Sequence, residues 1–154
     1  MIDSRAKGAR GELLVRDTLR SLTGLKWERT PGSGALAPTH QLKGDLYIPN
    51  CNNTYCIEVK NYADDQISTK LLTGKTPLVL EWWEQALRQG KQVQKEPLLI
   101  FKHDRSKLFV AFNESDNWSY NKITVNVEPY WFQVSLLEDF VVNEEPKWVK
   151  PLES

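Results

Sequence analysis

Apolar side chains fall near helical spacing in the first segment of the chain. They are Leu13, Leu14, Leu19 and Leu22. This stripe predicts a helix over residues 5–23. Gly24 follows directly and suits a C-terminal cap, because glycine readily adopts the left-handed conformation found there.

A pair of strands is indicated next along the chain. A short strand over 26–29 precedes a turn at 31–34, where the sequence is Pro-Gly-Ser-Gly. Residues 45–48 and 55–60 are rich in β-formers, and turn-forming residues separate them. We therefore expect a β-hairpin whose second strand is central in a sheet.

The second half of the chain predicts helices and further short strands. Polar residues over 61–78, with Gly74 and Pro77, indicate an exposed, adaptable connection. An apolar stripe then predicts a helix over 80–92, and Pro97 marks its end. The remaining predicted elements are strands over 98–102, 108–112 and 123–127 and a short helix over 134–140.

The order of these elements predicts an α/β fold in which helices flank a mixed central β-sheet. The length of 154 residues is sufficient for one hydrophobic core. We expect a single domain over residues 1–154, with a core at about 5–112 and a C-terminal appendage at about 113–154.

Two pairs of residues in the second predicted helix allow alternative interpretations. Trp82 and Trp83 are adjacent, so we expect only one of them to face the core. Gln85 and Gln89 lie one helical turn apart. They either face a functional site or, as we expect, lie on an exposed face of the helix.

The composition excludes several classes of protein. Twenty Lys and Arg residues balance twenty Asp and Glu residues, so the net charge indicates no particular partner. Cys51 and Cys56 are too few for a disulfide framework, and with two histidines they form no zinc motif. No apolar run resembles a secretory signal or is long enough to span a bilayer. We expect a reduced, cytoplasmic protein with no membrane partner.

The charges are nevertheless unevenly distributed along the chain. Residues 1–29 carry a net charge of +3 and residues 88–107 a net charge of +4. These blocks predict a face that binds nucleic acid, unless they are ordinary solvated helix surfaces. The candidate contacts in them are Arg5, Lys7, Arg10, Lys91 and Lys95.

The two strands of the predicted hairpin carry residues suited to phosphodiester hydrolysis. Glu58 and Lys60 project from the same face of one strand, because side chains alternate along a strand. If Asp45 lies across the hairpin from them, two carboxylates converge where a hard cation such as Mg²⁺ finds oxygen ligands. Such an ion activates water and neutralises charge on a phosphate.

With these residues the sequence resembles the PD-(D/E)XK nuclease superfamily, and in particular archaeal-type Holliday junction resolvases. The matching positions, in chain order, are Glu12, Arg29, Ser33, Gly44-Asp45, Glu58-Val59-Lys60 and the following glutamine-containing helix. Gly44 stands where the family pattern has proline. The segment 61–78 and the last third of the chain match nothing in the pattern.

The resemblance implies a Mg²⁺-dependent DNA endonuclease in which Mn²⁺ substitutes for Mg²⁺. It implies that Glu12, Asp45 and Glu58 bind the metal ion and that Lys60 assists the attacking water. Arg29 and Ser33 are expected to engage the scissile backbone, with Ser33 also contributing to cleavage. A four-way junction needs two coordinated nicks, so a two-fold homodimer is the expected assembly.

Two alternative functions stay open on the sequence alone. One is a restriction-like or homing-type endonuclease that acts on duplex DNA. The other is a noncatalytic nucleic-acid-binding module, against which the intact set of motif residues argues.

Overall fold

The structure is a computed structural model that describes residues 4–31, 43–73 and 77–151. These residues form three α-helices, a short 3-10 helix and seven strands, and none of the described helices is long and apolar enough to cross a membrane. The elements are α1 (Ser4–Thr23), β1 (Glu28–Arg29), β2 (Leu46–Tyr47), β3 (Tyr55–Tyr62), a 3-10 helix (Thr69–Leu71), α2 (Leu78–Gln92), β4 (Glu96–His103), β5 (Phe109–Phe112), β6 (Ile123–Val127), β7 (Tyr130–Leu136) and α3 (Leu137–Glu144).

The strands form one seven-stranded sheet in the order β1-β2-β3-β4-β5-β7-β6. β3 and β4 run parallel, and α2 makes the crossover that a parallel pair requires. The other neighbouring strands pair antiparallel. The predicted mixed sheet with flanking helices is therefore confirmed, as is the β2–β3 hairpin, in which Leu46 pairs with Ile57.

Helices cover both faces of the sheet. Val15 and Leu19 of α1 and Leu137 of α3 belong to the buried cluster on one face, and α2 packs on the other. The alternation along β4 supplies both clusters, because Leu98 faces α1 while the next residue, Leu99, faces α2. Each large apolar side chain buried in this way stabilises the fold by about 1.5–3 kcal/mol.

The first predicted helix and its cap are confirmed. α1 begins and ends within a residue of the predicted bounds. Gly24 has a φ of +73°, and its N–H donates a 2.9 Å hydrogen bond to the carbonyl of Arg20. This bond satisfies one of the carbonyls that a helix end leaves without a partner.

Trp82 and Trp83 are both buried, so the expectation that only one faces the core is wrong. Trp83 stacks on Phe132 of β7, with ring centroids 4.9 Å apart. Trp82 packs against Phe101 of β4 and Tyr62 of β3. Because α2 lies across several strands of a wide sheet, neighbouring helix positions meet different strands and both are covered.

The sequence predicts an exposed connection between β3 and α2. The structure shows that part of this connection is buried. Leu71 of the 3-10 helix and the polar Gln66 are both buried. The Oε1 atom of Gln66 accepts a 3.3 Å hydrogen bond from the N–H of Val79 at the start of α2. Pro77 precedes this helix and has no capping side chain. A glutamine distant in sequence therefore satisfies the helix end, and residues 74–76 lie outside the described part of the chain.

The C-terminal third adds two strands to the same sheet and one helix against it. The predicted helix over 134–140 is wrong at its start, because Leu136 ends β7 and α3 begins at Leu137. The strand passes directly into the helix, so a single apolar run spans both elements. Pro97 does not mark a helix end either: α2 ends at Gln92, and Pro97 is buried in β4.

Candidate active site

The β2–β3 hairpin holds Asp45 beside Glu58. The N–H of Asp45 donates a 2.6 Å hydrogen bond to the carbonyl of Ile57. The Oδ2 atom of Asp45 accepts a 2.7 Å hydrogen bond from the N–H of Val59. These two partners flank Glu58 in the sequence, so the hairpin fixes the backbone and the carboxyl group of Asp45 next to the Glu58 position.

Gly44 is required by the close approach of β2 to β3. Its φ is +89°, and a Cβ atom at this position would lie 2.6 Å from the carbonyl oxygen of Ile57. Proline is fixed at a φ near −65° and therefore cannot adopt this backbone. The departure from the family pattern at this position is thus an adaptation of this hairpin, and it leaves the neighbouring Asp45 in place.

Asp45 and Glu58 form a buried pair of carboxyl groups with abnormal acidity. Burial and, to a lesser extent, the charge of Asp45 raise the pKa of Glu58 to about 8. Burial also raises the pKa of Asp45 to about 6, although the hydrogen bond from Val59 opposes this shift. The pair needs positive charge to ionise fully. Two adjacent hard oxygen donors of this kind fit a divalent cation.

Lys60 lies close to both carboxyl groups. It is half-buried and projects from the same face of β3 as Glu58, two residues away. Its charge lowers the pKa of Asp45 and of Glu58, which opposes the effect of burial. An ammonium group with three donors is therefore available at the point where a divalent cation would be bound.

Glu12 of α1 lies near this pair and is engaged elsewhere. Its Oε1 atom accepts a 3.1 Å hydrogen bond from Nε of Arg29, which lies on β1. Its charge still raises the pKa of both Asp45 and Glu58. Within the described ranges, no three His, Cys, Asp or Glu side chains are grouped so that they hold a metal ion. The described site thus consists of the carboxyl groups of Asp45 and Glu58 together with Lys60, and Glu12 lies at its margin.

These residues account for the chemistry expected at such a site. Asp45 and Glu58 would hold the cation, which supplies charge neutralisation and activation of water when bound. Lys60 would donate a hydrogen bond to a phosphate oxygen of the substrate. Arg29 holds Glu12 at the margin of the pair and, being partly exposed, is also accessible to a phosphate.

Gln85 contacts the site, which is the alternative that the sequence analysis did not favour. It is half-buried on α2, and its Nε2 atom lies 3.4 Å from Oε2 of Glu58 as a hydrogen-bond donor. The prediction of an exposed helix face is therefore wrong at this position. The glutamine faces the site because α2 docks on β3. The spacing of Gln85 and Glu58 along the sequence does not predict that contact.

Lys7 of α1 lies near the C-terminal end of β3. The carbonyl of Lys7 accepts a hydrogen bond from Nδ2 of Asn61, the residue after Lys60. Nζ of Lys7 forms a 2.5 Å ion pair with the exposed Asp104. Arg10, on the same helix, is exposed.

Lys91 and Lys95 of the second block lie at the other end of the same strand, whereas Lys102 of that block pairs with Asn61 near Lys7. Lys91 is exposed in the last turn of α2. Lys95 directly precedes β4, whose first residue pairs with Tyr55 at the start of β3. Burial lowers the pKa of Lys95. About 20 Å of strand separates Lys91 and Lys95 from Lys7, so these predicted contacts do not form one compact patch.

Two predicted contacts cannot be placed. Ser33 lies outside the described residues, and so does the side chain of Arg5.

Comparison with known proteins identifies the family. A family model described as "Phage putative PDDEXK endonuclease" matches residues 3–147. The chain belongs to this family. It is also 49% identical to Protein D14 of Escherichia phage T5 over 118 residues, which cover 75% of this chain and 74% of that protein. No solved structure matches the chain. The PD-(D/E)XK endonuclease family implies a DNA substrate and, in general, a divalent metal ion, in agreement with the carboxyl pair and Lys60.

Proposed function

We propose that the protein is a Mg²⁺-dependent endodeoxyribonuclease that cleaves branched DNA in the manner of a Holliday junction resolvase. The observation that carries the proposal is the buried pair of Asp45 and Glu58, with Lys60 adjoining it. In a family of endonucleases, this arrangement supports metal-assisted hydrolysis of a phosphodiester.

The proposed roles follow from the position of each residue. Asp45 and Glu58 bind the metal ion, and Glu12 completes the set when it exchanges its contact with Arg29 for the ion. Lys60 positions the attacking water and stabilises charge on the phosphate. Arg29 and Ser33 engage the scissile backbone. Mn²⁺ substitutes for Mg²⁺, because both ions accept oxygen ligands in octahedral geometry.

The preference for a branched substrate rests on the resolvase-like order of the motif residues along the chain. A homodimer would present two sites to the two strands that a resolvase must nick. The expected location is a DNA-containing compartment, which we take to be the cytoplasm. A restriction-like or homing-type enzyme with the same site would instead cleave linear duplex.

The test compares cleavage of a labelled four-way junction, its component duplexes and its single strands, with Mg²⁺, with Mn²⁺ and with EDTA. We expect cleavage of the junction with either metal ion and none with EDTA. Asp45→Asn is expected to abolish cleavage, whereas Asp64→Asn, a matched change at an exposed position just after β3, retains it.

Each other result decides against part of the proposal. Preferential cleavage of the linear duplex would replace the resolvase function with the restriction-like one. Binding of DNA without cleavage under any of these metal conditions would indicate a noncatalytic module.

A further inference from the structure

One edge of the sheet is open and uncharged. β6 is the last strand in the sheet order, and within the described part of the chain only β7 pairs with it. Its five residues, Ile-Thr-Val-Asn-Val, contain no charge and no proline. The opposite edge, β1, has only Glu28 and Arg29. Charged or very short edge strands resist pairing with other chains, whereas an edge such as β6 favours it.

An apolar groove follows the open edge on the face that α2 covers. It has a volume of about 330 Å³, and Ile67, Leu71 and Leu72 line it together with β6. Leu72 is 82% exposed and Ile123 is 50% exposed. This groove places apolar surface directly beside the open edge of β6.

The sequence around β6 is complementary to itself in antiparallel register. A two-fold axis through Val125 places Ile123 opposite Val127 of the second copy, and Thr124 opposite Asn126. The same register places Lys122 opposite Glu128 of the second copy. Apolar residues then meet apolar residues on one face, while polar residues and opposite charges meet on the other.

We propose that two copies of this chain pair through antiparallel β6 strands about a two-fold axis at Val125, which joins their sheets. The interface would contain two Lys122–Glu128 ion pairs and a continuous apolar strip along Ile123 and Val127. The backbone groups on the open edge of β6 would gain hydrogen-bond partners. The proposal gives the homodimer a specific surface and does not depend on nuclease activity.

Both charged residues are available for this contact. Glu128 is exposed and makes no ion pair within the described ranges. Lys122 lies over the ring of Tyr120, with Nζ 3.9 Å from the ring centroid, and its Nζ also donates to the carbonyl of Asn117. Its flexible side chain can exchange this contact for a carboxylate.

The first test measures molecular mass by analytical ultracentrifugation across a range of protein concentrations without DNA. We expect a dimer. Lys122→Glu and Glu128→Lys should each raise the dimer dissociation constant by about tenfold, because two attractive pairs become repulsive ones. The double variant should restore the original constant. Glu114→Lys, a control in an exposed loop, should leave it unchanged.

Rescue by the double variant distinguishes the interface from a local effect, because Lys122→Glu alone also removes the contact with Tyr120. A monomer at every concentration would overturn the proposal, as would a dimer that neither reversal weakens. Neither result would affect cleavage by an isolated site, so failure here is distinguishable from failure of the proposed nuclease function.

The second test examines the register. Chains with Thr124→Cys are mixed with chains with Asn126→Cys, both in a Cys51→Ser background because Cys51 is exposed. Residues directly opposite in antiparallel strands have Cα atoms about 4.5–5.5 Å apart, which a disulfide can bridge. We expect the mixture to crosslink and Thr124→Cys alone to crosslink far less. Equal crosslinking in both samples would exclude this register.

Discussion

The Oδ2 atom of Asp45 accepts a 2.7 Å hydrogen bond from the N–H of Val59, the residue between Glu58 and Lys60. This bond crosses from β2 to β3 and orients the Asp45 carboxyl. It favours the ionised form of Asp45, yet the pKa of this group is raised to about 6 because burial has the larger effect. The hairpin therefore maintains a carboxyl pair that ionises only at an energetic cost.

The first prediction concerns the pH dependence of stability without metal. The pKa values of Asp45 and Glu58 rise from 3.8 and 4.5 to about 6 and about 8. Because both carboxyl groups have a higher pKa in the folded state than in the unfolded state, the folded state binds more protons over this range. The free energy of unfolding in EDTA should therefore fall as the pH rises from about 4 to about 8. The free energy of unfolding of Asp45→Asn should exceed that of the wild type by about 3 kcal/mol near pH 8 and match it near pH 4.

Urea unfolding across this pH range measures the effect. Asp64→Asn, which changes an exposed carboxyl, should follow the wild type throughout. Addition of millimolar Mg²⁺ should stabilise the wild type and not Asp45→Asn. A wild-type stability in EDTA that is constant between pH 4 and pH 8 would show that ionisation of Asp45 and Glu58 does not destabilise the folded state.

The second prediction concerns Gly44, for which the chain offers a matched control. A Cβ atom at Gly44 would lie 2.6 Å from the backbone oxygen of Ile57, whereas at Gly24 it would meet nothing within 4 Å. Both glycines have positive φ angles. Gly24→Ala should cost about 1 kcal/mol, the strain of the left-handed backbone alone. Gly44→Ala and Gly44→Pro should cost more than about 3 kcal/mol, as measured by chemical unfolding.

The sequence predicts Asp45, Glu58 and Lys60 as neighbours because their proximity depends on short-range geometry. Strand alternation relates Glu58 to Lys60, and a short hairpin loop relates both to Asp45. The contact of Gln85 with Glu58 depends instead on how a helix docks on the sheet. The sequence also does not predict the strand that ends at Leu136, because no turn residues separate this strand from α3.

The third prediction concerns Gln85 as a positioning residue. Its Nε2 atom lies 3.4 Å from Oε2 of Glu58 and restricts the orientation of that carboxyl. Gln85→Ala should lower single-turnover cleavage by about fivefold to tenfold and raise the Mg²⁺ concentration needed for half-maximal rate. Gln89→Ala, one turn further along α2, should change neither quantity. A loss of rate with an unchanged Mg²⁺ dependence would contradict a positioning role.

The fourth prediction concerns the exposed charges on α1. Arg10 is exposed on the helix that carries Glu12, whereas Lys147 lies far along the chain beside several acidic residues. If Arg10 contacts a DNA phosphate, Arg10→Ala should flatten the dependence of log affinity on log salt by about one unit. Lys147→Ala should leave that slope unchanged. The same measurement on Lys91→Ala and Lys95→Ala determines whether DNA also reaches the other end of β3.

The fifth prediction concerns Lys60, which distinguishes a nuclease from a fold that only binds metal ions and DNA. Its charge acts on both Asp45 and Glu58. Lys60→Ala should leave DNA binding in Ca²⁺ nearly unchanged. It should slow single-turnover cleavage by about a hundredfold to a thousandfold, the usual effect of removing one preorganised group that stabilises a transition state. Lys60→Arg should recover only part of the rate, because a planar guanidinium cannot place its charge at the same point. Equal cleavage by wild type and Lys60→Ala would mean that Lys60 has no catalytic role and that the reaction takes place elsewhere on the protein.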